Sequence, residues 1–247
     1  MDLKLAGKCV WVVGATGTIG SGVASTLAQM GMHVWLSGRD RTRLDKLGRS
    51  ISQKGYTCSI APLVGPTDYE AIVEAIRKSR GRLDVLVNTT ASPHFDTFEN
   101  LTDQQWQDVF ESKLLVYVRS MRAAIPLMRD SRGGVIINIS GRGGRKPSDF
   151  HLAGGSMNAA INLLTKGIAN AYQCDGIRAN VIAPGSIRSA RHAQLESKAG
   201  DSSVNSTAVP PGEVLDVVNA VIFLASHLSN NINGINLAVD GGTIESI

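Results

Sequence analysis

The chain has 247 residues, with 25 Lys and Arg against 21 Asp and Glu, a formal net charge of +4. Hydrophobic residues make up 43% and charged residues 19%, which excludes a disordered polyelectrolyte. The basic excess is spread along the chain and forms no patch or stripe, so no nucleic-acid partner is expected. Cys9, Cys58 and Cys174 lie far apart, and no Cys/His spacing suggests zinc. An odd, scattered set also argues against a disulfide framework, so the expectation is a reducing, cytoplasmic setting with no metal. The apolar run Cys9–Val13 is too short for a signal sequence or a membrane span, and no membrane partner is expected.

Short apolar runs alternate with helical stretches. Cys9–Val13 predicts a buried strand that stops at a glycine loop, and Ile19–Met30 a helix closed by Gly31. His33–Leu36 is the second strand, Arg41–Gln53 a polar amphipathic helix, and Tyr56–Ile60 the third strand. Asp68–Ser79 is helical, with Ile72, Val73 and Ile76 on one face, and Leu83–Val87 is the fourth strand. Thr102 reads as the N-cap of a long helix from Asp103 towards Met128, with Pro126 near its end. Then follow strand Val135–Ile139, helix Leu152–Tyr172, strand Ile177–Ile182, helix Glu213–Ala225 and strand Ile235–Val239. The alternation predicts an α/β fold with one doubly wound parallel sheet, helices on both faces and a single domain over residues 1–247. The one long irregular stretch is Lys198–Gly212.

Gly14, Thr16, Gly17, Thr18, Ile19 and Gly20 join the first strand to the first helix. A glycine loop in that place lets the backbone approach a pyrophosphate, which sits on the helix N-terminus. A tight turn with no ligand is the plainer alternative. At the end of the second strand a dinucleotide would present its adenosine ribose. An acid there suits the 2′-hydroxyl of NAD, and an arginine suits the 2′-phosphate of NADP. Gly38 leaves room and Arg39 supplies charge, which favours NADP(H) over NAD(H), although Asp40 could partly neutralise it.

With these motifs in order, the chain resembles the short-chain dehydrogenase/reductase family over roughly residues 5 to 243. Gly14–Gly20 resembles the family's Gly-x-x-x-Gly-x-Gly motif, with Thr18 at the place of its middle glycine. Asn88-Thr89-Thr90-Ala91 resembles its Asn-Asn-Ala-Gly motif, identical only at Asn88. Asn180–Gly185 resembles its turn beside the nicotinamide, which implicates Pro184, Gly185 and Ile187; Val239-Asp240-Gly241-Gly242 matches its C-terminal signature. The resemblance implies strand order 3-2-1-4-5-6-7, dinucleotide binding, a small-molecule carbonyl or alcohol substrate, and a homotetramer or a heterotetramer with a paralogue.

The family's catalytic tetrad does not carry over. Aligning Met157–Lys166 with the family's active-site helix puts Asn158 at the lysine position and Gly154 at the tyrosine position. Gly141 falls at the serine position, Lys113 at the asparagine position, and Gly65 where an adenine-contacting aspartate is common. Ser140 is one residue early, so its side chain is expected on the other strand face. Gly141–Asn162 resembles a less common branch with a tyrosine at the place of His151 and a matched asparagine at Asn158. His151, about one turn before Gly154, is therefore the candidate proton donor, with an exposed loop histidine beside Asp149 as the alternative. Lys113 could donate to a substrate oxygen or to the cofactor ribose, or lie on the surface. His94 follows the fourth-strand motif on a loop that borders the pocket in this family, with a solvated loop histidine as the alternative. Arg142 and Arg145 would give its mouth a positive rim suited to an anionic substrate, or form a solvated basic loop.

The leading function is an NADP(H)-dependent oxidoreductase with a non-standard proton donor. A non-catalytic supporting subunit, or non-redox chemistry in the same pocket, are the alternatives.

Overall fold

The first strand, β1 (Cys9–Val13), is buried at every position. Side chains alternate across a strand, so Val10 and Val12 enter one core while Cys9, Trp11 and Val13 enter the other. Burial on both faces makes β1 a central strand. It pairs in parallel with β2 (His33–Ser37) and β4 (Val85–Asn88). The sheet continues through β3 (Cys58–Ile60), β5 (Gly134–Ile139), β6 (Ile177–Pro184) and β7 (Asn236–Val239), all parallel, in the order β3-β2-β1-β4-β5-β6-β7. That is the order expected from the sequence. The computed structural model describes residues 2–189 and 209–244.

Helices cover both faces. On the Val10/Val12 side lie α1 (Thr18–Gln29), α2 (Arg41–Gln53) and, as α7, the helix Val214–Ala225, through Val23, Leu27, Leu44, Ile51, Val217 and Val221. The opposite core holds α3 (Asp68–Arg80), α5 (Val116–Asp130) and α6 (Leu152–Ala171), with Tyr69, Ile76, Tyr117, Leu127 and Ile161. Among the described residues no helix is long and apolar enough to cross a membrane.

The long helix expected from Asp103 is broken into α4 (Asp103–Val109), a π-turn over Phe110–Leu115, and α5. A π-turn widens the helical period locally. Here it carries Lys113 into the interior, where the side chain is buried. Pro126 lies inside α5 and does not end it. Pro126 and Arg122, the residue whose carbonyl a proline cannot bond, are both exposed.

Strand ends differ by a few residues for local reasons. Leu83 and Asp84 precede β4; the Asp84 carboxylate accepts from the Cys9 amide at 2.8 Å and pairs with Arg82, tying down the start of β1. Ile235 precedes β7 because its amide donates to Asn180 Oδ1 at 3.1 Å. Of the irregular stretch Lys198–Gly212, only residues 209–212 are described, and Gly212 bridges Ile187 in parallel.

Candidate active site

The chain leaves β1 at Gly14 with φ of +83°, a region that favours glycine. A Cβ there would meet Thr89 Oγ1 at 3.0 Å, and one on Gly20 would meet the same atom at 2.7 Å. The Thr89 hydroxyl donates to the Gly14 carbonyl at 3.1 Å. The glycines thus let the loop pack directly on the end of β4. Gly17 is the N-cap of α1, and neither a side-chain hydrogen bond nor an acidic residue occupies this helix start. The Thr18 and Ile19 amides open the helix towards the carboxyl edge of the sheet, where a pyrophosphate would complete the missing bonds.

Gly38 sits beside this loop, since a Cβ on it would lie 3.4 Å from Thr16 Oγ1. Arg39 is exposed. The Asp40 carboxylate accepts from the Arg43 amide at 3.0 Å and so caps α2. The Arg43 guanidinium reaches back to the Thr16 carbonyl at 2.8 Å. Two arginines therefore flank Gly38. Sequence reasoning singled out only Arg39; the available signal for Arg43 was a basic residue in the first turn of the next helix. Further along, the amides of Gly65 and Val64 both donate to Asp68 Oδ2 and hold that carboxyl below its usual range. A cradle that any Cβ would fill, an open helix start and an exposed Arg39 fit a dinucleotide phosphate.

Asn88 is fully buried, and its side chain is engaged within the sheet by Asn138 and Ser120. A cofactor contact at this position falls to the main chain. Pro184 and Gly185 end β6, and the Gly185 amide donates to the Val239 carbonyl at 3.0 Å. A Cβ on Gly185 would meet Asp240 Cα at 2.9 Å, so this turn packs on the C-terminal turn. Burial alone would raise the Asp240 carboxyl. The Gly242 and Ile244 amides, the Thr243 hydroxyl and the Arg142 charge bring it below its usual range.

At the carboxyl ends of β4 and β5 the tetrad positions converge. Lys113 Nζ donates to the carbonyls of Thr90 at 3.2 Å and Ser140 at 3.3 Å. A Cβ on Gly141 would lie 3.0 Å from Asn158 Nδ2, on α6. Asn158 Oδ1, Ser140 Oγ and Thr90 Oγ1 are buried polar atoms without a hydrogen bond among the described residues.

His151 caps α6. Its Cδ2 and Cε1 lie 2.6 and 2.7 Å from where a Cβ on Gly154 would stand, with Nε2 between them and nearer still. Its Nδ1 is 3.2 Å from the corresponding place on Gly143. The ring of Phe95 stacks on its face with centroids 4.5 Å apart and planes 5° from parallel. Sequence reasoning missed Phe95, because no local pattern links two rings so distant in the chain. His94 is turned to α4, where its Nε2 meets Asp108 Oδ2 at 3.0 Å. Arg142 lies near Asp240, and Lys146 Nζ donates to the Thr243 carbonyl at 3.3 Å, so the basic loop leans on the C-terminal turn. Among the described residues no cluster of His, Cys, Asp or Glu could hold a metal ion.

A parallel sheet in this order, with a glycine cradle after β1 and buried polar groups beyond β4 and β5, is the scaffold of a dinucleotide-binding α/β fold. Comparison makes the assignment specific. The family described as enoyl-(acyl carrier protein) reductase matches residues 14–243, and the chain belongs to this family of short-chain dehydrogenases/reductases. Its relatives include the 7alpha-hydroxysteroid dehydrogenase of Clostridium sardiniense, 30% identical over 97% of this chain and 94% of the relative. The 3-oxoacyl-(acyl-carrier-protein) reductase FabG of Rickettsia conorii is also 30% identical, over 98% and 99%. In structure, the chain is similar to L-sorbose reductase from Gluconobacter frateurii complexed with NADPH and L-sorbose, with TM-score 0.92, 27% identity and full coverage of both chains.

Proposed function

We propose that this chain is an NADP(H)-dependent oxidoreductase that interconverts a carbonyl and an alcohol, working as one domain, with His151 as the proton donor. The observation that carries the reading is the His151 imidazole, whose Nε2 edge stands where a side chain on Gly154 would begin. Gly154 occupies the position of the family's tyrosine acid, so the histidine brings an ionisable N–H to the space that acid would leave. The relative crystallised with NADPH supports the cofactor class.

The cofactor, when bound, supplies the hydride. The Gly14–Gly20 loop, with Thr16, Thr18 and Ile19, holds the pyrophosphate by main-chain amides. Arg39 pairs with the 2′-phosphate. Asn158, with its unbonded Oδ1, accepts from the nicotinamide ribose, and Pro184, Gly185 and Ile187 border the nicotinamide. Lys113 holds the loops after β4 and β5 together by their carbonyls, and its charge in a low-dielectric interior favours negative charge developing on the substrate oxygen. His151 delivers the proton to that oxygen, the general-acid role an imidazole can fill.

A screen of small ketones, diketones and acyl thioesters for NADPH consumption tests the reading. On any substrate turned over, His151→Ala lowers kcat by ~10²-fold or more with NADPH affinity nearly unchanged. Full activity in that variant removes His151 as donor. NADPH binding without turnover of any substrate moves the assignment to a second reading, a supporting subunit, which the exposed Leu163 and Phe110 on the long helical segments favour.

A further inference from the structure

The ladder between β4 and β5 ends at the pair Asn88 and Asn138. Just beyond that rung, side chains from the π-turn and α5 enter between the two strand ends. The Tyr117 hydroxyl donates to the Ile139 carbonyl at 2.7 Å and lies 3.3 Å from the Thr90 carbonyl. Lys113 Nζ donates to the same Thr90 carbonyl at 3.2 Å and to the Ser140 carbonyl at 3.3 Å. Nζ also stands 5.7 Å from the centroid of the Tyr117 ring, within cation–π reach. Carbonyl oxygens only accept, so three that converge need donors between them. Tyr117 is fully buried, and burial above all holds its phenol well above the usual range, so the hydroxyl keeps its proton at any working pH. It is a standing wedge between the ends of β4 and β5.

We infer that Tyr117 is a positioning residue: its hydroxyl sets the spacing of these strand ends, and thereby the carbonyls that hold the Lys113 ammonium at the candidate active site. The inference rests on the reading of Lys113 as the charge that favours negative charge on the substrate oxygen. It concerns the acceptors that Lys113 uses, and it holds alongside any other contact Lys113 makes. Electrostatic stabilisation depends on the charge being in place beforehand, so a displaced ammonium loses rate while the protein stays folded. Phenylalanine keeps the ring and its packing and removes only the hydroxyl. Tyr117→Phe therefore isolates this role.

The experiment compares Tyr117→Phe, Lys113→Met and the double variant by steady-state kinetics, with Lys113→Gln in place of Lys113→Met should the latter not fold. Acylation of Lys113 by acetic anhydride, followed by peptide mass mapping, adds a readout that needs no substrate. The expected result is a roughly tenfold lower kcat in Tyr117→Phe, the worth of one hydrogen bond, with KM for NADPH unchanged. Lys113 should be labelled faster in that variant while amide exchange in the central strand β1 stays parental, which excludes general unfolding as the route. In the Lys113→Met background the added Tyr117→Phe change should lower kcat by less than about twofold, because the charge it places is gone. A merely structural hydroxyl would lower kcat by the same factor in both backgrounds, and that result overturns the inference. Parental kcat in Tyr117→Phe overturns it as well, wherever Lys113→Met is slow. Parental kcat in Lys113→Met removes the charge from the proposed reaction instead. Labelling then decides the positioning role by itself, as it does where no substrate is turned over, and parental labelling in Tyr117→Phe overturns it.

Discussion

Asn88 and Asn138 face one another in register across β4 and β5, and Asn88 Nδ2 donates to Asn138 Oδ1 at 2.9 Å. The pair extends in both directions. Ser120 Oγ, from α5, donates to Asn88 Oδ1 at 2.8 Å, and Asn138 Nδ2 donates to Thr165 Oγ1, on α6, at 2.9 Å. All four side chains are buried. A satisfied buried network orders what it joins, and this one joins two strands and two helices.

Removing its centre is costly because the neighbours stay buried and lose their partner. Asn138→Ala should destabilise the protein by about 2 kcal/mol and lower Tm by ~4–8 °C. Calorimetry checks this, and an unchanged Tm would show that the network contributes nothing to stability.

The proposed preference for NADP(H) turns on where Asp40 points. Its carboxylate caps α2 and is not paired with Arg39, so the arginine charge is available to a 2′-phosphate. Titration by intrinsic fluorescence should show NADPH binding tighter than NADH by ~10-fold or more, as one charge-assisted phosphate contact allows. Arg39→Ala should lose most of that preference. Equal or better NADH binding in the parent protein contradicts the assignment.

His33 sets one feature of the acid limb of stability. Burial, then the Arg80 charge, hold its pKa below the ordinary 6.5, and its Nε2 bonds Ser59 Oγ at 2.9 Å. The folded state therefore binds a proton less readily than the unfolded chain. The stability tied to neutral His33 is fully present above pH 6.5 and is lost as pH falls through the lower folded value. Denaturant unfolding between pH 7 and 5 should show a shallower decline in His33→Gln than in the parent; identical slopes would rule His33 out.

Much of this architecture is legible in the residues themselves. Buried parallel strands read as continuous apolar runs such as Cys9–Val13, and Gly14–Gly20 announces the turn that a phosphate needs. The interrupted helix was not legible, because Phe110–Leu115 carries neither glycine nor proline and the π-turn comes from packing. Nor did the sequence show that Asn88 is consumed by Asn138, since strand register is a tertiary property. The candidate catalytic end is half legible: Gly154 and His151 can be placed by resemblance, but the fold of the ring onto the helix cannot.

Assembly is the next test. Leu163 on α6 is 77% exposed and Phe110 in the π-turn is 39% exposed, with Leu114, Leu115 and Val118 only partly covered. Apolar surface of this kind on long helical segments is a candidate subunit contact. Light scattering at micromolar concentration should show a tetramer, either of this chain alone or with a paralogue, and Leu163→Glu should dissociate it. A monomeric parent protein overturns the expectation.

The relation between His151 and Gly154 gives the last prediction. Alanine in place of glycine within a helix normally stabilises by about 1 kcal/mol. At Gly154 the added Cβ would press on the Nε2 edge of His151, whose Cδ2 and Cε1 already stand 2.6 and 2.7 Å from that place. The ring must swing away and leave its stack on Phe95, since the backbone of the first turn of α6 cannot move independently of the helix. Gly154→Ala should therefore lower kcat nearly as far as His151→Ala does, with little gain in Tm. In His151→Ala/Gly154→Ala the obstruction is gone. The double variant should be no slower than His151→Ala alone, and its Tm should rise above that of the single variant by the ordinary helix gain, ~2–4 °C. Two additive losses in kcat would mean that Gly154 and His151 act separately, and full turnover in Gly154→Ala would mean that the ring has no task at that position.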